Sequence, residues 1–126
     1  MKKFLTTFLL VTLAGLAPAA DAPAPAPKWH VAINGAATSD GQMQFRVTPH
    51  EGEAITVNAD IKQGRAELFI TRDLGEAFKK QLPKKRFKSE VVGGTFLVKA
   101  GPGEGAFALE LVESTVAGAR IHITAN

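Results

Sequence analysis

Downstream of residue 28 the apolar positions follow two different periods. Trp29, Val31 and Ile33 alternate with His30, Ala32 and Asn34, and the same period of two recurs at Met43, Phe45 and Val47 and again at Ile55, Val57 and Ala59. That is the pattern of half-buried strands. Asn34-Gly35 and the segment from Pro49 to Gly52 supply turn chemistry between them, so the three runs predict an antiparallel meander. The period then changes. Ala66, Ile70, Leu74, Ala77 and Phe78 recur at helical spacing, leaving Glu67, Arg72, Glu76, Lys79 and Lys80 on other faces, which predicts a helix from Arg65 to Gln81. The strand-like run Leu68 to Thr71 and Gly75, which costs a helix about 1 kcal/mol relative to Ala, oppose that reading, but the wider window outweighs them.

Pro83 stops the helix, because its ring and missing amide donor prevent continuation and push Leu82 toward extended geometry. Phe87, Ser89 and Val91 then alternate with Lys88, Glu90 and Val92, and Gly93-Gly94 is a two-residue loop suited to a tight hairpin with Thr95 to Ala100 as the returning strand. After a loop at Gly101 to Gly105, which reads as a further hairpin turn, Phe107, Leu109 and Leu111 point one way while Ala108, Glu110 and Val112 point the other. Ile121 and Ile123 continue the alternation. Three strands, one helix and four strands predict an α+β domain, with a mostly antiparallel sheet of six to seven strands and the helix packed on one face. A two-layer sandwich is the other arrangement compatible with this order.

The start of the chain is of a different kind. Lys2 and Lys3 precede an apolar stretch from Phe4 to Leu16, and Ala17 and Ala19 satisfy the small-residue rule for processing, with Ala20 as the second choice. Residues 1–19 therefore read as a secretory signal, too short and interrupted for a membrane span of roughly 20 apolar residues. No comparable apolar run follows, so no membrane-spanning segment is expected after cleavage. Residues 20–27, containing DAPAPAP, read as an extended Ala/Pro-rich linker, and residues 28–126 as a single domain. The expected location is the periplasm or the medium outside the cell.

Composition narrows the chemistry. The 126-residue chain has 15 Lys and Arg against 12 Asp and Glu, and removal of Lys2 and Lys3 leaves 13 against 12, so the overall charge gives no reason to expect specific nucleic-acid binding. With 0 Cys, a disulfide framework, a thiol nucleophile and a cysteine zinc cluster are excluded. His30, His50 and His122 lack the spacing of paired metal ligands on one helix. Neither a metal nor another cofactor is expected.

Glu110 shares its outward parity with His122, and the two could meet if their strands pair. Ser89 and Ser114 lie outside any nucleophile motif, the pairs Glu51/Glu53 and Glu110/Glu113 show no sign of a catalytic cleft, and GPGEG at Gly101 to Gly105 does not match a phosphate loop. No catalytic residue is assigned.

One local signal stands out. In KKQLPKKRFK, Lys79, Lys80, Lys84, Lys85, Arg86 and Lys88 place six positive charges within ten residues. Such a concentration can attract phosphates, acidic polysaccharide or anionic lipid headgroups, although cations also sit favourably at a helix C-terminus.

The succession GRAELFITRDLGEAFKKQLP, then RFKSEVVGGTFLVKAGPGEGAFALELVES and GARIHI, resembles small helix-plus-hairpin modules of bacteriophage tail and bacterial surface proteins in its apolar spacing and glycines, from Gly64 to Ile123. The resemblance implies binding and brings no catalytic residues. The expectation is thus a small exported, non-enzymatic binding or adhesion module of the bacterial envelope. Its partner would be another envelope or secreted protein, or an anionic polymer or lipid surface met by the basic turn. The alternatives are a periplasmic inhibitor or accessory subunit that inserts the basic turn or the Gly101 to Gly105 loop into its partner, and a small hydrolase using Glu110 and His122.

Overall fold

Two antiparallel sheets and a helix enclose one core in the computed structural model, which describes residues 24–125. The expected signal and the first half of the Ala/Pro linker lie outside the described residues. Within them the chain is α+β, with β1 (Lys28–Asn34), β2 (Gly41–Thr48), β3 (Ile55–Ile61), the helix α1 (Glu67–Gln81), β4 (Phe87–Val92), β5 (Thr95–Ala100), β6 (Ala108–Ser114) and β7 (Arg120–Ala125). No helix among these residues is long and apolar enough to cross a membrane.

The predicted alternation is the observed burial: Trp29, Val31, Ile33, Met43, Phe45, Val47, Val57 and Ala59 all point into the core. The pairing differs from the predicted meander. One sheet has the order β4-β5-β1-β7 and the other β3-β2-β6, so β2 and β3 form a hairpin while β1 belongs elsewhere. Both edges of β1 are occupied, by β5 and β7, and none is left for β2. The Gly101 to Gly105 loop likewise carries the chain from one sheet to the other instead of closing a hairpin, since β6 pairs with β2.

The helix spans the open side between the sheets, packing against β3 and β4 at their edges and against the inner faces of β5 and β1. Phe78 stands at the centre, with Phe45 of one sheet 5.1 Å away and Phe96 of the other 5.0 Å away, centroid to centroid. These tilted and edge-on contacts suit the aromatic quadrupole. A second pair, Phe87 and Phe107 at 5.1 Å, joins the sheets near Ala26. Trp29 is buried near the start of β1, and its Nε1 donates to the Phe107 carbonyl at 2.8 Å.

The helix begins two residues later than its periodicity predicts. The Arg65 carbonyl accepts the amide of Ala37 at 3.0 Å, so it serves a tertiary pairing where a helix would need it for the amide four residues on. Gly75, a weak point by propensity, is explained by proximity: a Cβ there would lie 2.8 Å from Val91 Cγ2, so glycine lets the helix approach β4 closely. Ordered structure reaches into the end of the linker, because Ala26 bridges to Phe107 and Pro27 accepts the amide of Ala100 at 3.0 Å.

Candidate functional site

The turn from Pro83 to Arg86 brings the end of α1 beside the start of β4. Its geometry divides the six predicted cations into four groups. Lys79 on the helix, Lys84 in the turn and Lys88 on β4 line one groove of about 510 Å³, floored by the buried side chains of Phe78, Leu82 and Phe87. Lys99 of β5, absent from the predicted cluster, joins them, and Glu90 is the single carboxylate of that lining.

Lys80 faces away into a second depression of about 590 Å³, where Lys62 and Arg65 also meet Asp60, Asp73 and Glu76. Its charges balance. Arg65 there forms a two-pronged pair with Asp73, at 2.8 and 3.0 Å, and that hydrogen bonding holds its guanidinium above the ordinary arginine range. Lys85 is exposed and lies outside both depressions.

Arg86 is a structural tie. Its Nε donates to Glu104 at 2.8 Å, its Nη2 donates to the Glu51 carbonyl at 2.8 Å, and the guanidinium lies 5.8 Å from the centre of the Phe87 ring. One side chain thus fastens the basic turn to the loop between the sheets and to the turn after β2. Arg86→Ala is expected to lower unfolding free energy by about 1–3 kcal/mol, the range for charge-assisted bonds, whereas Lys85→Ala should stay within about 0.5 kcal/mol of the parent. Urea denaturation of the two variants checks this, and equal losses would remove the distinction.

Strand register adds a feature that the local sequence hides. Lys88 lies opposite Lys99 across β4 and β5, and Lys99 lies opposite Lys28 across β5 and β1. Directly opposed residues share a face, so three lysines form a row across the outer face of the four-stranded sheet, at about 5 Å per step. The rest of that face carries Glu90, His30, Arg120 and His122, the last two opposite Asn34 and Ala32. Like charges directly opposed are destabilising, and among the described residues no ion pair engages any of the three, although Glu90 lies two residues from Lys88 on the same face.

The Glu110 and His122 pairing does not form. Their strands belong to different sheets, Glu110 bonds Arg46 at 3.1 Å across β6 and β2, and His122 is exposed on β7. His30 is half-buried on β1 and His50 exposed in the turn after β2. Among the described residues no three His, Asp or Glu side chains come together as metal ligands would.

Lys99 was within reach of sequence reasoning. A two-residue loop at Gly93-Gly94 sets Val92 opposite Thr95, and counting back from there puts Lys88 opposite Lys99. Lys28 was not, because its position depends on a pairing across more than sixty residues. Comparison with protein-family models and with curated proteins finds no match for this chain.

Proposed function

We propose that this protein is an exported, non-catalytic binding module that holds an anionic partner at the cell envelope through the groove of Lys79, Lys84, Lys88 and Lys99. The reading is carried by the row of Lys28, Lys99 and Lys88 beside that groove, three directly opposed cations with Glu90 as the one carboxylate of the groove lining. A bound anion would relieve their mutual repulsion, and an arrangement that lowers stability, with cations outnumbering the neighbouring carboxylate, is where a binding function is expected. The apolar floor adds contact area to the charge. The balanced depression around Arg65 and Asp73 offers an incoming anion no comparable field. Export, and the resemblance to surface modules, belong to the same reading.

Insertion of the Gly101 to Gly105 loop into a partner has less in its favour, since Glu104 is held by Arg86 and donates its amide to Gly101. Charge reversal should therefore be made at strand positions, where the side chains are exposed, and should spare Arg86. The parent protein is expected to bind long-chain inorganic polyphosphate, with an affinity that falls steeply with salt, and to ignore neutral dextran. The double variant Lys88→Glu/Lys99→Glu should bind at least about tenfold more weakly, which corresponds to ~1.4 kcal/mol. Unchanged affinity in a variant with parental circular dichroism, or equal retention on dextran, would overturn the proposal.

A further inference from the structure

We infer that the outer edge of β4 is a strand-addition site for an extended acidic segment of another polypeptide. This rests on the groove being a binding surface and adds the class of partner. Hydrogen-bond parity fixes which backbone groups are involved. Val92 opposite Thr95 closes the hairpin, and the Gly101 amide donates to the Arg86 carbonyl at 2.7 Å, so the even-numbered residues of β4 direct their backbone groups toward β5. The odd-numbered residues direct theirs outward. Phe87 uses its amide on the Pro83 carbonyl at 3.0 Å. Among the described residues no turn, loop or side-chain hydrogen bond reaches the N–H or C=O of Ser89 or Val91.

The edge of β3, on the other side of the same helix, is covered at one residue. Gln81 accepts the Asn58 amide at 2.9 Å and donates to the Asn58 carbonyl at 2.7 Å, acting as a one-residue strand. Along β4 the helix comes close at Gly75 and the Ser89 hydroxyl donates to the Gly75 carbonyl at 3.2 Å, but the strand's own backbone remains unbonded on that side. Bare edges of this kind are what peptides pair with when they extend a sheet.

Charge and apolar surface select the occupant. Four lysines against one glutamate beside the edge favour carboxylates and oppose a second copy of this chain, whose equally basic groove would be brought alongside. At the hairpin end the surface turns apolar, with Val91, Val92 and Leu68 exposed and the N-terminal part of α1 held near Gly94 through the Thr71 hydroxyl. At about 3.3 Å per residue, a segment of about five residues would run from Lys88 to Val92, with acidic side chains toward the lysines and an apolar one near Val91 and Leu68.

The experiment uses the acetylated, amidated peptide Glu-Val-Asp-Val-Glu-Val. Two derivatives are N-methylated at one or the other alternate set of amides, and a fourth peptide carries Lys in place of every acid. N-methylation deletes donors while keeping the carboxylates, and the protein itself is unaltered. The parent peptide is expected to bind and to slow hydrogen exchange at the amides of Ser89 and Val91 at least about tenfold. One methylated set should lose about tenfold or more in affinity and the other little, because only alternate amides face the sheet. The Lys peptide should not bind.

Equal binding by both methylated peptides, or protection elsewhere in the chain, would overturn strand addition while leaving the basic groove intact. Polyphosphate binding without peptide binding has the same meaning. Failure of both polyphosphate and peptide to bind would remove the groove reading as well.

Discussion

Phe78→Ala is expected to unfold a large fraction of the domain at physiological temperature. The side chain is fully buried and is the point where the helix meets both sheets, through Phe45 and Phe96. Truncating a buried Phe costs about 3–5 kcal/mol from lost transfer free energy and the cavity left behind. A domain of this size has about 5–15 kcal/mol in total, and each kcal/mol moves Tm by roughly 4–8 °C. The site can collapse only poorly, because its walls are two hydrogen-bonded sheets. Thermal and urea denaturation should show a fall in Tm of about 15 °C or more, while Phe69→Ala, at an exposed ring packed beside Arg65 and Arg72, should shift it little. A loss below about 1 kcal/mol at Phe78 would mean that the helix does not hold the sheets together.

Gly35→Val should be nearly as damaging for a different reason. Gly35 ends β1 with φ of +95° and Gly118 precedes β7 with φ of +91°. The two loops cross so closely that a Cβ at Gly35 would fall on the Gly118 carbonyl, and one at Gly118 on the Ala36 carbonyl. Neither obstacle is a movable side chain. Backbone strain for a branched residue at positive φ costs about 1–3 kcal/mol, and crowding adds about 1–3 kcal/mol more.

Gly64 separates the two contributions, since it has φ of +90° with open space around it. Gly64→Ala should cost about 1–2 kcal/mol from conformation alone, and Gly35→Val clearly more by urea denaturation. Comparable losses would show that the crossing relaxes.

These two sites show why some parts of the fold were legible in the sequence and others were not. Phe78 lies on the helical stripe of Ile70 and Leu74, so its burial followed from spacing alone. The importance of Gly35 did not, because Asn34-Gly35 reads as an ordinary turn and its neighbour Gly118 is distant in sequence. The basic cluster behaved similarly. Its concentration was visible, but which lysines converge, which one faces a balanced depression and that Arg86 is a tie all depend on where Glu104, Glu51 and Lys99 arrive from other elements. The suggested link between Glu110 and His122 rested on parity, which fixes the face a side chain takes and not the sheet to which its strand belongs.

Alternation, helical spacing and turn residues by themselves determined the seven strands, the helix and most inward-facing residues, because these follow from backbone geometry within a few residues; Ala66, on the predicted helical stripe, is instead exposed at the N-cap. The tertiary structure alone decided the split into two sheets, the lysine row and the unbonded outward backbone of β4. Each is a matter of which strands become neighbours, and that choice is made by burying the whole apolar surface at once, with no record in any single segment.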